Sequence, residues 1–389
     1  MPASKIQVCE QAENLPGYPF WLIQGKSGRL YSPLSFDRDF NAVKNVIGDL
    51  KRLSDALKAQ GIQLVIVQVP PTSLVYSEDV NWTHPKLSGM YQPAVGRADF
   101  LAAQKTIASA GIPNVNLLNV LRGSNNAFFL YDHHWTAEGS KLAALATARV
   151  IRGLPVYKTL TKVALQAVDA RTERVPGSYM AALKEACPVP EDAALETVHL
   201  YEISRPGLGL LDETAPEIAL VGDSYATERF GFGQFLAAAL QADVQNASIS
   251  GGGQNDAMYT YLISQLHKIS PPKMLVWNFL GTLNDSTALR TMTAAAMGSC
   301  QTPIARGTDS LTLPVGGPRT YLYAEASDKA ARKIRFTFFK NGVEIDNVQL
   351  EFSDRVNNQG QFYYLIPEET TEVYLMSGKA ESLVACAIR

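Results

Sequence analysis

Long apolar runs are missing from this sequence. No stretch approaches the roughly 18 to 20 uninterrupted apolar residues that a helical membrane span needs, so none is expected. The N-terminal segment, MPASKIQVCEQAENLPGYPF, lacks the apolar core of a signal peptide. The chain is therefore expected to be either cytoplasmic or a mature or recombinant form whose signal has been removed. An excess of one charge is missing too: 35 Lys and Arg against 37 Asp and Glu leave a formal net charge of −2. That balance gives no reason to expect a nucleic-acid or anionic-membrane partner. Cysteine is scarce, and Cys9, Cys187, Cys300 and Cys386 stand far apart with no CxxC pair, which argues against a zinc site or a thioredoxin-type motif. The spacing alone leaves open two disulfides in any of three connectivities, or four buried free thiols. Internal repeats and low-complexity segments are absent.

What is present is an ordinary globular composition, 46% hydrophobic and 19% charged, over 389 residues. That length exceeds what one hydrophobic core usually organises, so two domains are expected. Over residues 37–60, Phe40, Val43, Ile47, Leu50, Leu53 and Leu57 recur at helical spacing, and Gly61 follows where a cap belongs. Residues 62–69 are apolar and β-branched and stop at Pro70-Pro71, as a buried parallel strand does on entering a loop. The alternation continues with a helix over 97–110, strands at 115–118 and 127–131, and a helix over 136–151 with Thr136 as N-cap. A second series runs from a strand at 217–221 through a helix near 228–241, a strand at 243–249, a helix at 254–267 and a strand at 274–278. Residues 153–215 carry scattered Pro, Gly and charge and have no assignment. Strands alternating with helices predict an α/β fold with a parallel sheet covered on both faces. After Cys300 the period changes to two, and Asn341-Gly342 between alternating runs predicts a hairpin within a small antiparallel β domain of about 90 residues.

Two constellations carry chemistry. Val221-Gly222-Asp223-Ser224-Tyr225 lies where an apolar strand meets a helix, so Ser224 sits at the carboxyl end of a parallel strand, near a helix N-terminus that favours developing negative charge. The alternative is a tight turn in which Asp223 or Ser224 caps the helix. Tyr131-Asp132-His133-His134-Trp135 lies at another strand end. On an extended segment positions i and i+2 share a side, so Asp132 and His134 converge while His133 points away. A carboxylate on one imidazole nitrogen leaves the other free to take a serine proton, which makes Ser224 nucleophile, His134 base and Asp132 orienter. A metal site is the competing reading, disfavoured because adjacent residues diverge and no further His or Cys cluster is evident. The run Ser250-Gly251-Gly252-Gly253 offers Gly252 and Gly253 as backbone donors for an oxyanion, or is a plain turn. The loop at 277–285 adds two asparagines, of which Asn278 is carried as a candidate donor, with Tyr225 as a neighbour of the nucleophile.

Together these residues resemble the SGNH-hydrolase superfamily: Gly-Asp-Ser as nucleophile block, the glycine loop as second block, and Gly-x-x-Asn-Asp near 281–285. One departure is that Asp-x-His precedes the serine. That order, with Asp-x-His-Trp-Thr-x-Glu-Gly opening a helix, is similar to the polysaccharide O-acetylation proteins of the AlgX/AlgJ type in the alginate pathway. The resemblance covers roughly residues 20–285.

It implies an SGNH-like three-layer sheet with permuted motif order in a catalytic domain over 1–298, followed by a β-rich carbohydrate-binding module over 299–389. It also implies disulfides Cys9–Cys187 and Cys300–Cys386 and a periplasmic location. The implied activity is acetyl transfer through an acetyl-serine, from a partner protein or small ester to a polyuronate such as alginate, with no metal or cofactor. A carbohydrate acetylesterase or a noncatalytic polysaccharide-binding scaffold are the alternatives. In the module, Tyr321, Tyr323, Phe336, Phe338, Tyr363 and Tyr364 are mostly expected in the core. Lys333, Arg335, Thr337 and Phe339 share the opposite strand face, and Arg335, supplemented by Lys333, is the expected contact for uronate carboxylates unless that face is merely solvated.

Overall fold

The apolar spacing over 37–60 becomes helix α1 (Val43–Ala59), with Leu50, Leu53 and Leu57 buried and Gly61 at φ +79° behind it. The structure is a computed structural model and describes residues 6–36, 39–90, 92–190, 195–206, 215–298, 300 and 302–388. The start of the expected helix, at 37–38, lies outside them. Strand β1 (Gln63–Val69) follows, then α2 (Pro93–Ser109), α3 (Leu117–Arg122) and α4 (Ala137–Arg152). Thr136 caps α4 as predicted, accepting from the Gly139 N–H.

Two expected strands are corrected. Residues 115–118 form no strand: the chain makes one bridge just before them, at Ile66–Asn114, and Leu117, Leu118 and Leu121 are buried at helical spacing on α3. Residues 127–131 fold back locally, with one bridge between Phe128 and Trp135. Such short apolar runs do not distinguish strand from buried helix or loop.

The unassigned stretch forms β2 (Gln166–Pro176), α5 (Met180–Ala186) and β3 (Leu195–Ser204), with β2 and β3 paired antiparallel. Next come β4 (Ile218–Gly222), α6 (Phe232–Leu240), β5 (Val244–Asn246), α7 (Gly253–Ile263), β6 (Met274–Leu280) and α8 (Ser286–Met297). The sheet order is β1–β6–β4–β5, and β4 runs parallel to both β5 and β6. β4 is wholly buried, and β1 and β6 are buried at all but one position each, which is why they read as unbroken apolar runs.

The remaining strands are β7 (Pro303–Gly307), β8 (Ser310–Thr312), β9 (Thr320–Ala326), β10 (Lys333–Lys340), β11 (Val343–Glu351), β12 (Gln361–Leu365), β13 (Glu372–Ser377) and β14 (Ala380–Ala387). They make two four-stranded antiparallel sheets, β8–β13–β10–β11 and β12–β9–β14–β7. Leu322, Phe336, Phe338, Val348, Phe362, Val373 and Leu383 from both sheets share one core. The hairpin β10–β11 turns at Asn341 and Gly342, with φ +50° and +81°, the left-handed pair that a two-residue hairpin turn requires.

The chain divides into two compact units, each drawn from three stretches. One comprises Met1–Lys44, Val65–Ser250 and Lys273–Leu283; the other comprises Asn45–Leu64, Gly251–Pro272 and Asn284–Arg389. Disulfide Cys9–Cys187 lies in the first and Cys300–Cys386 in the second. Among the described residues no helix is long and apolar enough to cross a membrane. The Cys300–Cys386 bridge closes a sequence separation of 86 residues. Replacing both cysteines by serine should cost about 4 to 5 kcal/mol, read as a fall in melting temperature; an unchanged melt would contradict it.

Candidate active site

β4 ends in Gly222 because nothing larger fits: a Cβ there would lie 2.2 Å from the Asn278 carbonyl oxygen on β6. The next residue, Asp223, accepts from the Tyr225 N–H at 3.0 Å and from the Leu280 N–H at 2.7 Å, stapling the Ser224 turn to the end of β6. Burial pushes the Asp223 carboxyl up to about 6, against the pull of those two N–H groups. Ser224 opens a single 3-10 turn, Ser224–Ala226, and α6 begins only at Phe232. The expected helix N-terminus beneath the serine is therefore corrected to a short turn capped by Asp223.

The Asp-His segment is placed by the opposite device. Residues 127–136 double back, with Phe129 N–H donating to the His134 carbonyl and Thr136 N–H to the Ala127 carbonyl. Gly139 lets α4 lie against this loop, since a Cβ there would sit 2.0 Å from the Ala127 oxygen. Asp132 Oδ1 accepts from the His134 backbone N–H at 2.9 Å and lies 2.6 Å from its Nδ1. His134 Nε2 lies 2.7 Å from Ser224 Oγ. Asp132 and His134 thus converge through a tight turn rather than an extended strand. Burial alone would raise Asp132, but the hydrogen bond and charge of His134, with His133 and the His134 N–H, outweigh it and hold the carboxyl well below its usual range.

His133 does not point away, and that expectation is corrected. Its ring lies 3.8 Å from that of His134, and Phe230 stacks against His134 at 4.6 Å and 24°. Ser178, which sequence reasoning missed, donates its N–H to Asp132 Oδ2 at 2.9 Å and places its Oγ 2.9 Å from His133 Nδ1. Glu196 accepts from the Tyr131 N–H at 2.6 Å. Both come from the β2–β3 excursion, where the only sequence signal is the turn-forming Pro176-Gly177-Ser178. A cleft of about 690 Å³ borders the same loop at Phe129, Leu130, Thr136 and Glu196.

Burial, then repulsion from His134, pushes His133 down to about 3 despite the nearby Asp132. A histidine depressed on folding contributes stability above its unfolded value near 6.5 and loses it as pH falls toward about 3. His133→Gln should therefore lose up to about 3 kcal/mol less between pH 6.5 and 4 than the parent, measured by melting at each pH. Parallel curves would refute this.

Asp132, His133 and His134 also place one donor atom each within 4.8 Å, enough to raise the question of a metal. Three of the four ring nitrogens already have partners, since His134 Nδ1 and Nε2 face Asp132 and Ser224, and His133 Nδ1 faces Ser178.

The other candidates have different surroundings. Tyr225 is buried, its hydroxyl donating to the His133 carbonyl and its ring 5.0 Å from that of His134, so it lines one side of the His134 ring. Asn278 is fully buried and its Nδ2 donates to the Val67 carbonyl at 3.1 Å, which turns that donor into the sheet. Gly252 and Gly253 are the N-cap and first residue of α7, in the second unit. Lys333 pairs with Glu351 at 3.1 Å, Arg335 donates to Asn347 at 2.8 Å, and Thr337 is buried. On that strand face Lys333 is ion-paired, Arg335 is hydrogen-bonded to a neutral amide and keeps its charge, and Thr337 is sealed.

A family model described as an SGNH hydrolase-like domain, acetyltransferase AlgX, matches residues 16–280. The alginate biosynthesis protein AlgX of Pseudomonas aeruginosa is 27% identical over 271 residues, 68% of this chain and 56% of the relative. The chain thus spans little more than half the length of that relative. A probable alginate O-acetylase AlgJ of Pseudomonas fluorescens is 30% identical over 284 residues, 69% of this chain and 68% of the relative. The solved structure of Pseudomonas aeruginosa AlgX superposes with TM-score 0.79 at 20% identity, over 98% of this chain and 100% of that one. The two share a fold.

Proposed function

Because the chain belongs to the family of SGNH hydrolase-like domains of the acetyltransferase AlgX, we propose that it is an O-acetyltransferase acting on an exported polysaccharide, alginate or a similar polyuronate. The observation that carries this reading is the continuous line from Asp132 through His134 to Ser224, with contacts of 2.6 and 2.7 Å. His134 Nε2 takes the Ser224 proton as Oγ attacks the acetyl carbonyl of a donor ester. The donor's leaving oxygen departs with that proton, leaving acetyl-serine. A sugar hydroxyl then gives its proton to His134 and attacks the acetyl carbon, and Ser224 Oγ recovers the proton as it leaves. Asp132, held ionised, fixes the His134 tautomer and steadies the imidazolium.

A partner protein as acetyl donor and a periplasmic setting complete the proposal; the two disulfides suit an oxidising compartment. Residues 299–389 are proposed as the carbohydrate-binding module. Arg335→Ala should weaken oligouronate binding by about 3- to 10-fold while leaving hydrolysis of a small acetyl ester unchanged; unchanged binding removes this residue from the site. The deciding experiment incubates the protein with an activated acetyl ester, with and without oligouronate. O-acetylated oligouronate supports transfer. Acetate alone in both tubes sinks it and favours the esterase, which shares every catalytic part and differs only in the acceptor.

A further inference from the structure

Contacts of Nδ1 with Asp132 and of Nε2 with Ser224 hold two points on the His134 ring and leave its plane free to rotate about the line joining them. A productive Nε2 must be held against both a serine hydroxyl and an incoming sugar hydroxyl, so the plane needs walls. Phe230 supplies one face, stacked at 4.6 Å. The His133 ring also lies against it, at 3.8 Å and 36°, and that wall is only as rigid as whatever holds His133.

What holds it is Ser178. Its Oγ is 2.9 Å from His133 Nδ1, and its own N–H donates to Asp132 Oδ2 at 2.9 Å. Ser178 is in turn fixed by Gly177, where an added Cβ would lie 2.1 Å from the Tyr131 oxygen, and by the Tyr179 N–H donating to that same oxygen. The four residues therefore close a ring: Asp132 to His134 by hydrogen bond, His134 to His133 by a tilted ring contact, His133 to Ser178 by hydrogen bond, and Ser178 back to Asp132. Ser178 occupies the one carboxylate oxygen that His134 does not use.

We propose that Ser178 and His133 are positioning residues for acyl transfer, Ser178 locking His133 against the His134 ring while it holds the second oxygen of Asp132. The proposal rests on the reading of Ser224, His134 and Asp132 as the reacting site. The identity of His133 follows from the geometry. A flat ring is needed to lie against imidazole, and a polar ring atom is needed to meet Ser178. A half-buried ring held neutral adds no positive charge beside the imidazolium that forms on His134.

Displacing a catalytic group by about 1 Å can cost about 10²-fold in rate. His133→Ala should therefore lower kcat for an activated acetyl ester by about 10²-fold, and Ser178→Ala by about 10-fold, with KM unchanged in both. The low-field proton resonance of His134 Nδ1–H should broaden or move upfield in both variants. Ser178→Thr, which restores the oxygen, should recover kcat and the resonance, and His133→Phe, which restores only the ring contact, should fall between. Ser224→Ala is run beside them. If Ser224→Ala is inactive while Ser178→Ala and His133→Ala keep the parent kcat and resonance, the positioning role is wrong and the triad stands. If Ser224→Ala keeps its activity, the triad reading itself fails. Should His133→Ala not fold, the Ser178→Ala and Ser178→Thr pair decides, since it removes and returns a single oxygen; a loss that Thr does not repair also overturns the proposal.

Discussion

Ser224→Ala should reduce turnover of an activated acetyl ester by about 10⁴- to 10⁶-fold and abolish acetyl labelling of the protein. The half-buried Ser224 Oγ is the atom within 2.7 Å of His134 Nε2, and alanine removes it without touching the Asp223 cap or the Gly222 approach that build the turn. The variant should therefore melt with the parent. Kinetics on the ester, with mass spectrometry of the acylated protein, test both halves. An acetyl group still carried by the Ser224→Ala variant would move the nucleophile elsewhere.

Asp132→Asn should cost about 10⁴-fold, a loss nearly as large, because the replacement is almost isosteric yet reverses a hydrogen bond. Asp132 Oδ1 accepts from both the His134 backbone N–H and the Nδ1 side of the ring. An asparagine that turns its NH₂ toward Nδ1 stabilises the wrong tautomer, placing a proton on Nε2 where the serine proton must go. Since Asp132 is held well below the ordinary carboxylate range, the parent's rate should show no inflection from it near pH 4 to 5. Combined with Ser224→Ala the loss should not add, as the residues act as one unit. Additive losses would show that Asp132 works on something other than the Ser224 step.

How far this could be read without coordinates depended on the range of the interactions. The β10–β11 hairpin was legible because Asn341-Gly342 fixes its own geometry, and β1, β4 and β6 because burial on both faces leaves unbroken apolar runs. The pairing of Asp132 with His134 was legible for an incomplete reason: the two do converge, but through a turn that no period-two pattern encodes. Ser178 and Glu196 were not legible. Their partners lie 46 and 65 positions away, and the contacts to Asp132 and Tyr131 exist only after the excursion folds back. The partners of the β10 face were not legible either, because they come from the neighbouring strand: Glu351 opposite Lys333 pairs with it, and Arg335 donates to Asn347.

Ser224 and the Asp132–His134 pair reach one another from separate pieces of scaffold, Ser224 from the tip of β4 and the pair from a doubled-back loop before α4, 90 positions earlier. Neither piece needs the chain to run directly on to the other; each needs only its own anchor, Gly222 against β6 and Gly139 against residue 127. The chemistry is thus indifferent to itinerary. A search for related sites that demands serine first and histidine last would pass over this arrangement, whereas one that asks for two short anchored tips, in either sequence, would find it.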